Sequence, residues 1–178
     1  MSFFDRLLGI RKDPTLDWKP SSLPIPDFDL ATMRFGALRF GDGFDAAAFL
    51  GRPDGFQWTQ GQGDYCELLY AAGGFEIDYD RGRFAYLAFF IGPDDYLPKH
   101  QALEFSKPRL HGCTPDGIQL SQDTDQAMLE RLFGKADSKD IDEDEGILFY
   151  TRHGISMEFE LDGKTKRLKR WNLYPVEK

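Results

Sequence analysis

The run Asp140-Ile141-Asp142-Glu143-Asp144-Glu145-Gly146 places carboxylates at the spacing of a calcium loop. Asp140, Asp142 and Asp144 would fill the first, third and fifth positions of an EF-hand, whose oxygens surround a hard cation. The sixth position, where that loop needs glycine for its turn, is Glu145. The twelfth, where a bidentate glutamate closes the cage, is Thr151. Both failures fall where the geometry is most demanding. The run therefore reads as a solvated acidic loop, or as an electrostatic docking element for a basic partner.

The other reactive residue types are scattered. His100, His111 and His153 have neither HxxxH nor HExxH spacing. His111 and Cys113 could supply half of a zinc site, but no second ligand pair is evident. A Cys–His nucleophile lacks an orienting group. Alternating carboxylates such as Glu76 and Asp78 read by default as a solvated strand face. Gly61, Gly63, Gly73 and Gly74 match neither a P-loop nor a GxGxxG turn. The expectation is no catalytic residue, no metal and no cofactor.

Bulk composition narrows the partners. The chain has 178 residues, 41% of them hydrophobic and 15% aromatic, enough for a packed interior. Against 22 Lys and Arg stand 30 Asp and Glu, a formal charge of −8. That balance disfavours phosphate backbones and anionic membrane surfaces, and it suits a basic protein partner. No window approaches the ~20 apolar residues of a membrane span. The N-terminus MSFFDRLLGIRKDP has no basic leader region and no small-residue cleavage site. Cys66 and Cys113 lack CxxC spacing and read as two reduced thiols, with a single disulfide as the alternative. Together these features predict a cytoplasmic protein.

The elements that would position any site follow from periodicity. Phe3, Phe4, Leu7 and Leu8 predict a short amphipathic helix over 2–10. Pro14, Pro20, Pro24 and Pro26 make 13–29 an extended connector. A helix over Ala46–Leu50, capped by Asp42 or Asp45, ends at Gly51. Strands are expected over 65–70, 74–80 and 84–91, with Phe75, Ile77 and Tyr79 on one face and Glu76 and Asp78 on the other. Residues Asp80-Arg81-Gly82 turn the chain between the last two. The strand FAYLAFFI is apolar on both faces, so it is central or its second face meets something else. Further on, a helix over 125–133, capped by Asp123 or Thr124, buries Met128, Leu129, Leu132 and Phe133.

The second half echoes the first. Tyr70-Ala71-Ala72-Gly73-Gly74-Phe75 is matched, about 80 residues on, by Tyr150-Thr151-Arg152-His153-Gly154-Ile155. Leu50-Gly51-Arg52-Pro53-Asp54, Tyr70, Gly74 to Tyr79 and Gly82 to Leu87 correspond to Phe133 to Asp137, Tyr150, Gly154 to Phe159 and Gly163 to Leu168. Over residues 36–174 this pattern resembles the beta-lactamase inhibitory protein-like superfamily and the SmpA/OmlA outer-membrane lipoprotein domain. The resemblance implies a protein-binding scaffold without catalysis. The chain departs from those families in lacking a lipobox cysteine and paired bracing cysteines.

The expected fold is thus α+β, two tandem repeats, each a short helical segment packed on a small antiparallel meander. The expected organisation is an N-terminal helix and Pro-rich arm over 1–35, a first repeat over 36–96, a linker over 97–115 and a second repeat over 116–178. The 16 Phe, 7 Tyr and 3 Trp exceed what a small core needs, so one sheet surface is a candidate aromatic binding face with an acidic rim. The candidate protein-binding residues are Trp58, Tyr86, Phe90, Asp140, Asp142, Glu143, Asp144, Glu145 and Trp171. The leading expectation is a non-enzymatic protein-binding module, in its most concrete form a bacterial immunity or inhibitor protein. The alternative is a small-ligand or enzymatic domain using Cys113, His111 or His153.

Overall fold

The computed structural model describes residues 13–21, 24–58, 65–93 and 103–176. The expected helix over 2–10, His100, Gly61 and Gly63 lie outside the described residues.

Eight strands form one continuous antiparallel sheet. The first half supplies β4 (Gly55–Trp58), β5 (Cys66–Tyr70), β6 (Phe75–Asp80) and β7 (Arg83–Phe90). The second supplies β10 (Ser138–Ile141), β11 (Glu145–Arg152), β12 (Ile155–Asp162) and β13 (Leu168–Pro175). Their spatial order is β10-β11-β12-β13-β7-β6-β5-β4, so β7 and β13 meet at the centre. Two-residue turns with both φ angles positive close β6 to β7 at Arg81-Gly82 and β11 to β12 at His153-Gly154. That geometry matches the twist of an antiparallel hairpin.

A second, five-stranded sheet lies over the first. It is built from β1 (Phe28–Asp29), β2 (Arg34–Phe35), β3 (Leu38–Arg39), β8 (Arg109–His111) and β9 (Ile118–Gln119). The order is β3-β2-β1-β8-β9, with β1 and β8 parallel. A 3₁₀ helix, Phe44–Leu50, and the helix α1 (Gln126–Phe133) flank this small sheet. All three pack on one face of the large sheet. Phe44 stacks on Tyr79 at 4.2 Å, Phe35 meets Phe75 and Phe89 edge-on at 5.2 and 5.5 Å, and Phe133 lies 5.2 Å from Phe159. Asp125 caps α1, its side chain accepting from the Met128 N–H at 2.8 Å, in place of the expected Asp123 or Thr124. The 3₁₀ helix starts at Gly43 with no side-chain cap, in place of Asp42 or Asp45.

These findings overturn the expected α+β fold of two helix-on-meander repeats. Strand accounts for 46% of the described residues and helix for 12%. The halves share a single large sheet, and the N-terminal arm and central segment add a second sheet. What the repeated motifs mark is a pair of local locks. The Tyr70 hydroxyl donates to the Gly51 carbonyl at 3.0 Å, and the Tyr150 hydroxyl donates to the Gly134 carbonyl at 3.1 Å. Each glycine ends a helical segment at positive φ, where its orphan carbonyl needs a donor.

The interior is organised along one row of rings. Tyr70 and Phe75 stack at 4.6 Å, Phe89 and Trp171 at 5.1 Å, and Trp171 and Phe159 at 5.6 Å. Phe28 from the small sheet meets Trp171 edge-on at 5.3 Å. Trp171 is fully buried. Trp171→Ala is expected to cost about 3–5 kcal/mol, and Tyr70→Phe about 1–2 kcal/mol by leaving the Gly51 carbonyl unpaired. Urea unfolding measures both; a Trp171→Ala loss below about 1 kcal/mol would show that the row is not the centre of the core.

Candidate functional site

Strand alternation that sends the aromatic row inward sends a polar set to the opposite face of the large sheet. Cross-strand pairing arranges that set in rows. One row runs Leu69, Glu76, Ala88, Asn172, Glu158 and Phe149. Beside it, Glu67 pairs with Asp78 and Asp78 with Tyr86, while Tyr174 pairs with Ser156. On the other side Phe90 pairs with Arg170 and Arg170 with Glu160.

These side chains are tied to one another. The Tyr65 hydroxyl donates to Asp78 Oδ2 at 2.5 Å, and Asn172 Nδ2 donates to Glu160 Oε1 at 2.5 Å. The Tyr174 hydroxyl donates to the Glu158 carboxylate. Arg170 lies over the Phe90 ring at 5.5 Å and 3.9 Å from Glu160. Asp78 is only 3% exposed, and its Oδ1 is buried without a hydrogen-bond partner; the same holds for Asn172 Oδ1. The expected solvated strand face is therefore corrected here: Glu76 and Asp78 do point away from the core, but Asp78 is sequestered from water and Glu76 is half-buried. Burial holds both carboxyls above the usual range. Glu67 adds repulsion on Glu76, which Arg170 partly offsets. Glu76 and Glu67 add repulsion on Asp78, partly offset by the Tyr65 hydrogen bond. Burial, then Asp78, pushes the Tyr65 phenol upward as well.

A groove of 750 Å³ opens at one end of this face, between Tyr65, Asp80, Ala85, Tyr86, Ser156 and Tyr174. Its origin is the central seam. Pairing of β7 with β13 stops at Leu87 and Leu173, although β7 reaches back to Arg83 and β13 on to Pro175. Beyond that last pair Tyr86 and Tyr174 stack at 6.3 Å.

The residues singled out from sequence do not come together. Tyr86 and Phe90 lie on the face opposite the ring row, but Phe90 is buried there with Leu69, Ala71 and Ala88, which removes it as a binding residue. Trp171 is in the core, which removes it as a binding residue: its indole is enclosed by Phe28, Phe89 and Phe159. Trp58 is half-buried on the core face of β4, against Phe44 and Phe56. Asp140, Asp142, Glu143, Asp144 and Glu145 form an edge hairpin. The six strand steps from Glu145 to Thr151 put it about 20 Å from the groove. Asp142 spends its carboxylate on its own turn, accepting from the Asp144 and Glu145 N–H groups at 2.8 Å each, and Glu145 pairs with Lys169 at 2.7 Å. Tyr65, Asp78, Asn172 and Tyr174 were missed. The signal that could have found them is FAYLAFFI, apolar on both faces and central in the sheet.

Among the described residues, Cys113, His111 and His153 take no part in lining the groove. Both cysteines are free, and burial pushes the Cys66 thiol up to about 12. Cys113 and His153 border a separate cavity of 380 Å³ beside Phe133 and Arg152. His111 Nε2 lies 2.6 Å from Asp27 Oδ2. Among the described residues no group of three or more His, Cys, Asp and Glu is arranged to hold a metal, and no helix is long and apolar enough to cross a membrane.

The raised carboxyls fix the sign of a pH dependence. A carboxyl whose folded pKa exceeds its unfolded value binds protons more tightly when folded, so stability is greatest at low pH for this pair. It falls as pH rises from the ordinary value near 4 through the raised folded values. The double variant Glu76→Gln, Asp78→Asn is expected to melt about 4–8 °C above the parent at about pH 9, for a relief of about 2 kcal/mol. Near pH 4 the two proteins should melt together. A parent that instead gains stability over this range relative to the variant would reverse the assignment.

No family model matches the chain, and no curated protein matches it. Among solved structures the chain is similar to a DUF4309 family protein, YjgB, from Bacillus subtilis subsp. subtilis str. 168, at 14% identity and a TM-score of 0.45 over 74% of this chain and 76% of that one.

Proposed function

We propose that the protein is a non-enzymatic binding module that docks a basic partner protein on the polar face of its large sheet. The observation that carries this reading is the groove at the β7–β13 seam. It combines stacked tyrosines, which give large contact area at low entropic cost, with an exposed carboxylate, Asp80, on its rim. The two lining tyrosines Tyr65 and Tyr174 are held from behind, by the carboxyls of Asp78 and Glu158. Acidic net charge would steer a basic partner toward that face. The more specific form of this reading is an immunity or inhibitor protein that neutralises its partner. Two unpaired thiols suit work in the reducing cytoplasm.

The competing small-ligand reading would centre on the Cys113–His153 cavity. Cys113 argues against it as a nucleophile, because burial raises its thiol pKa.

Capture from native lysate tests the proposal when the parent chain and a Tyr86→Ala, Tyr174→Ala variant are used side by side as bait. The expected result is a stoichiometric protein on the parent, released by added salt and reduced about tenfold or more on the variant. Recovery of no stoichiometric protein, or equal recovery on both baits, would overturn it.

A further inference from the structure

We propose that the outer face of the small sheet carries a site for a phosphate monoester dianion, held between Arg34 of β2 and Arg39 of β3. The site lies on the side of the molecule away from the groove and stands independently of the protein-binding reading.

The β2–β3 hairpin fixes the pair. Phe35 and Leu38 face each other across it, and both are fully buried against the large sheet. Strand alternation then turns their neighbours Arg34 and Arg39 outward, directly opposite each other. Side chains so placed start about 5 Å apart, and like charges there repel. The acids nearby are spent elsewhere. Asp29, which flanks Arg34 on β1, closes its own turn by accepting from the Ala31 and Thr32 N–H groups and the Thr32 hydroxyl. Asp42 accepts from the Arg39 backbone N–H at 2.8 Å, and Asp27 lies against His111. Neither guanidinium forms an ion pair among the described residues. Arg34 is half-buried: its Nε is enclosed without a hydrogen-bond partner, while its two terminal nitrogens stay open to solvent. Arg39 is exposed. The hairpin thus holds two opposed cations that the fold leaves unneutralised and within reach of a ligand.

Two opposed cations call for two negative charges on one small group. A phosphate monoester carries nearly two near neutral pH, with three strong acceptor oxygens. Each guanidinium can then present its fork of donors to a different oxygen pair of the same group. A carboxylate supplies one charge and one oxygen pair, so it serves one arginine and leaves the other unanswered. A nucleic-acid backbone needs a long run of cations and meets the overall charge of −8. A single dianion meets chiefly the charges within a Debye length, where the arginine pair stands. The empty site carries repulsion that the filled one does not. Removing one arginine should therefore stabilise the unliganded chain while destroying the site, the opposite of what a structural cation would do.

The probes are inorganic phosphate and the peptide Gly-Gly-phosphoserine-Gly-Gly amide, each titrated into the full chain and followed by the arginine Nε–H resonances in NMR. The same peptide with glutamate in place of phosphoserine supplies the carboxylate comparison. The expected result is saturable binding, with a Kd of about 10 mM or tighter, that shifts Arg34 and Arg39. Binding should be about tenfold or more weaker for the glutamate peptide and in Arg39→Gln. Without ligand, Arg39→Gln should melt about 1–3 °C above the parent. Arg109 shares this face but donates to the Asp116 carbonyl, and Arg109→Gln should bind phosphate as the parent does. A phosphopeptide that binds more tightly than inorganic phosphate assigns the site to a phosphorylated segment; equal binding assigns it to the phosphoryl group alone. Absence of saturation, equal binding of the glutamate peptide to the parent chain, or equal loss in Arg109→Gln and Arg39→Gln would overturn the proposal. So would a lower melting temperature for Arg39→Gln, which would make the pair structural. The parent-chain comparisons hold whatever the variants do.

Discussion

The row of rings from Tyr70 through Phe75, Phe89 and Trp171 to Phe159 is the constraint on which the remaining structure depends. Each ring comes from a different strand, so the row stitches β5, β6, β7, β13 and β12 together across the boundary between the two halves. Aromatic pairs of this geometry contribute about 0.5–1.5 kcal/mol each beyond the area they bury. The small sheet and both helical segments then have one surface to cover. Their own rings, Phe28, Phe35, Phe44 and Phe133, dock on that row and its neighbours. A strand period of two leaves no freedom after this. With Trp171 inward, Arg170 and Asn172 must point outward, and with Phe75 inward so must Glu76.

Register is consequently over-determined. A slip of one residue in β13 would place Arg170 among Phe89, Phe159 and Phe28 and turn Trp171 outward. Burying an unpaired guanidinium there costs several kcal/mol, and losing the indole costs a comparable amount again. The charged outer row therefore acts as a specificity device even where its pairs add little net stability. The same face carries three neighbouring carboxyls on β5 and β6, Glu67, Glu76 and Asp78.

Much of this was legible in the sequence, and the misses have physical causes. Long strands such as Phe75–Asp80 and Arg83–Phe90 fall within a residue of expectation, as does the helix ending at Gly134. The inward set Phe75, Ile77 and Tyr79 is in the core. The second sheet was invisible because four of its strands have two residues each, too few for any period to register. Its pairing of Phe28 with Leu110 also joins segments far apart in sequence. Recurrence of Tyr and Gly was read as repetition of α+β units, which the single shared sheet overturns, because the recurring residues encode a hydroxyl-to-carbonyl lock that says nothing about how much helix surrounds it. The candidate site was half legible. Tyr86 was singled out for its aromatic surplus, whereas Asp78 was discounted because alternation reports the direction of a side chain and not the dielectric it meets.

The same constraint decides where binding chemistry can reside. Inward positions of the central strands are committed to the ring row, and the edge strand β10 stands away from the seam. Variation without loss of the core is open only at the outward neighbours of the ring row. On most of the central strands these outward groups are locked together by the Asn172–Glu160 and Arg170–Phe90 contacts. Release comes where the β7–β13 pairing runs out after Leu87 and Leu173. There the two strands no longer share hydrogen bonds, a groove replaces the ladder, and Tyr86 and Tyr174 are the first outward residues past the last pair. Behind that opening a buried carboxyl oxygen of Asp78 without a hydrogen-bond partner is a cost the folded chain bears.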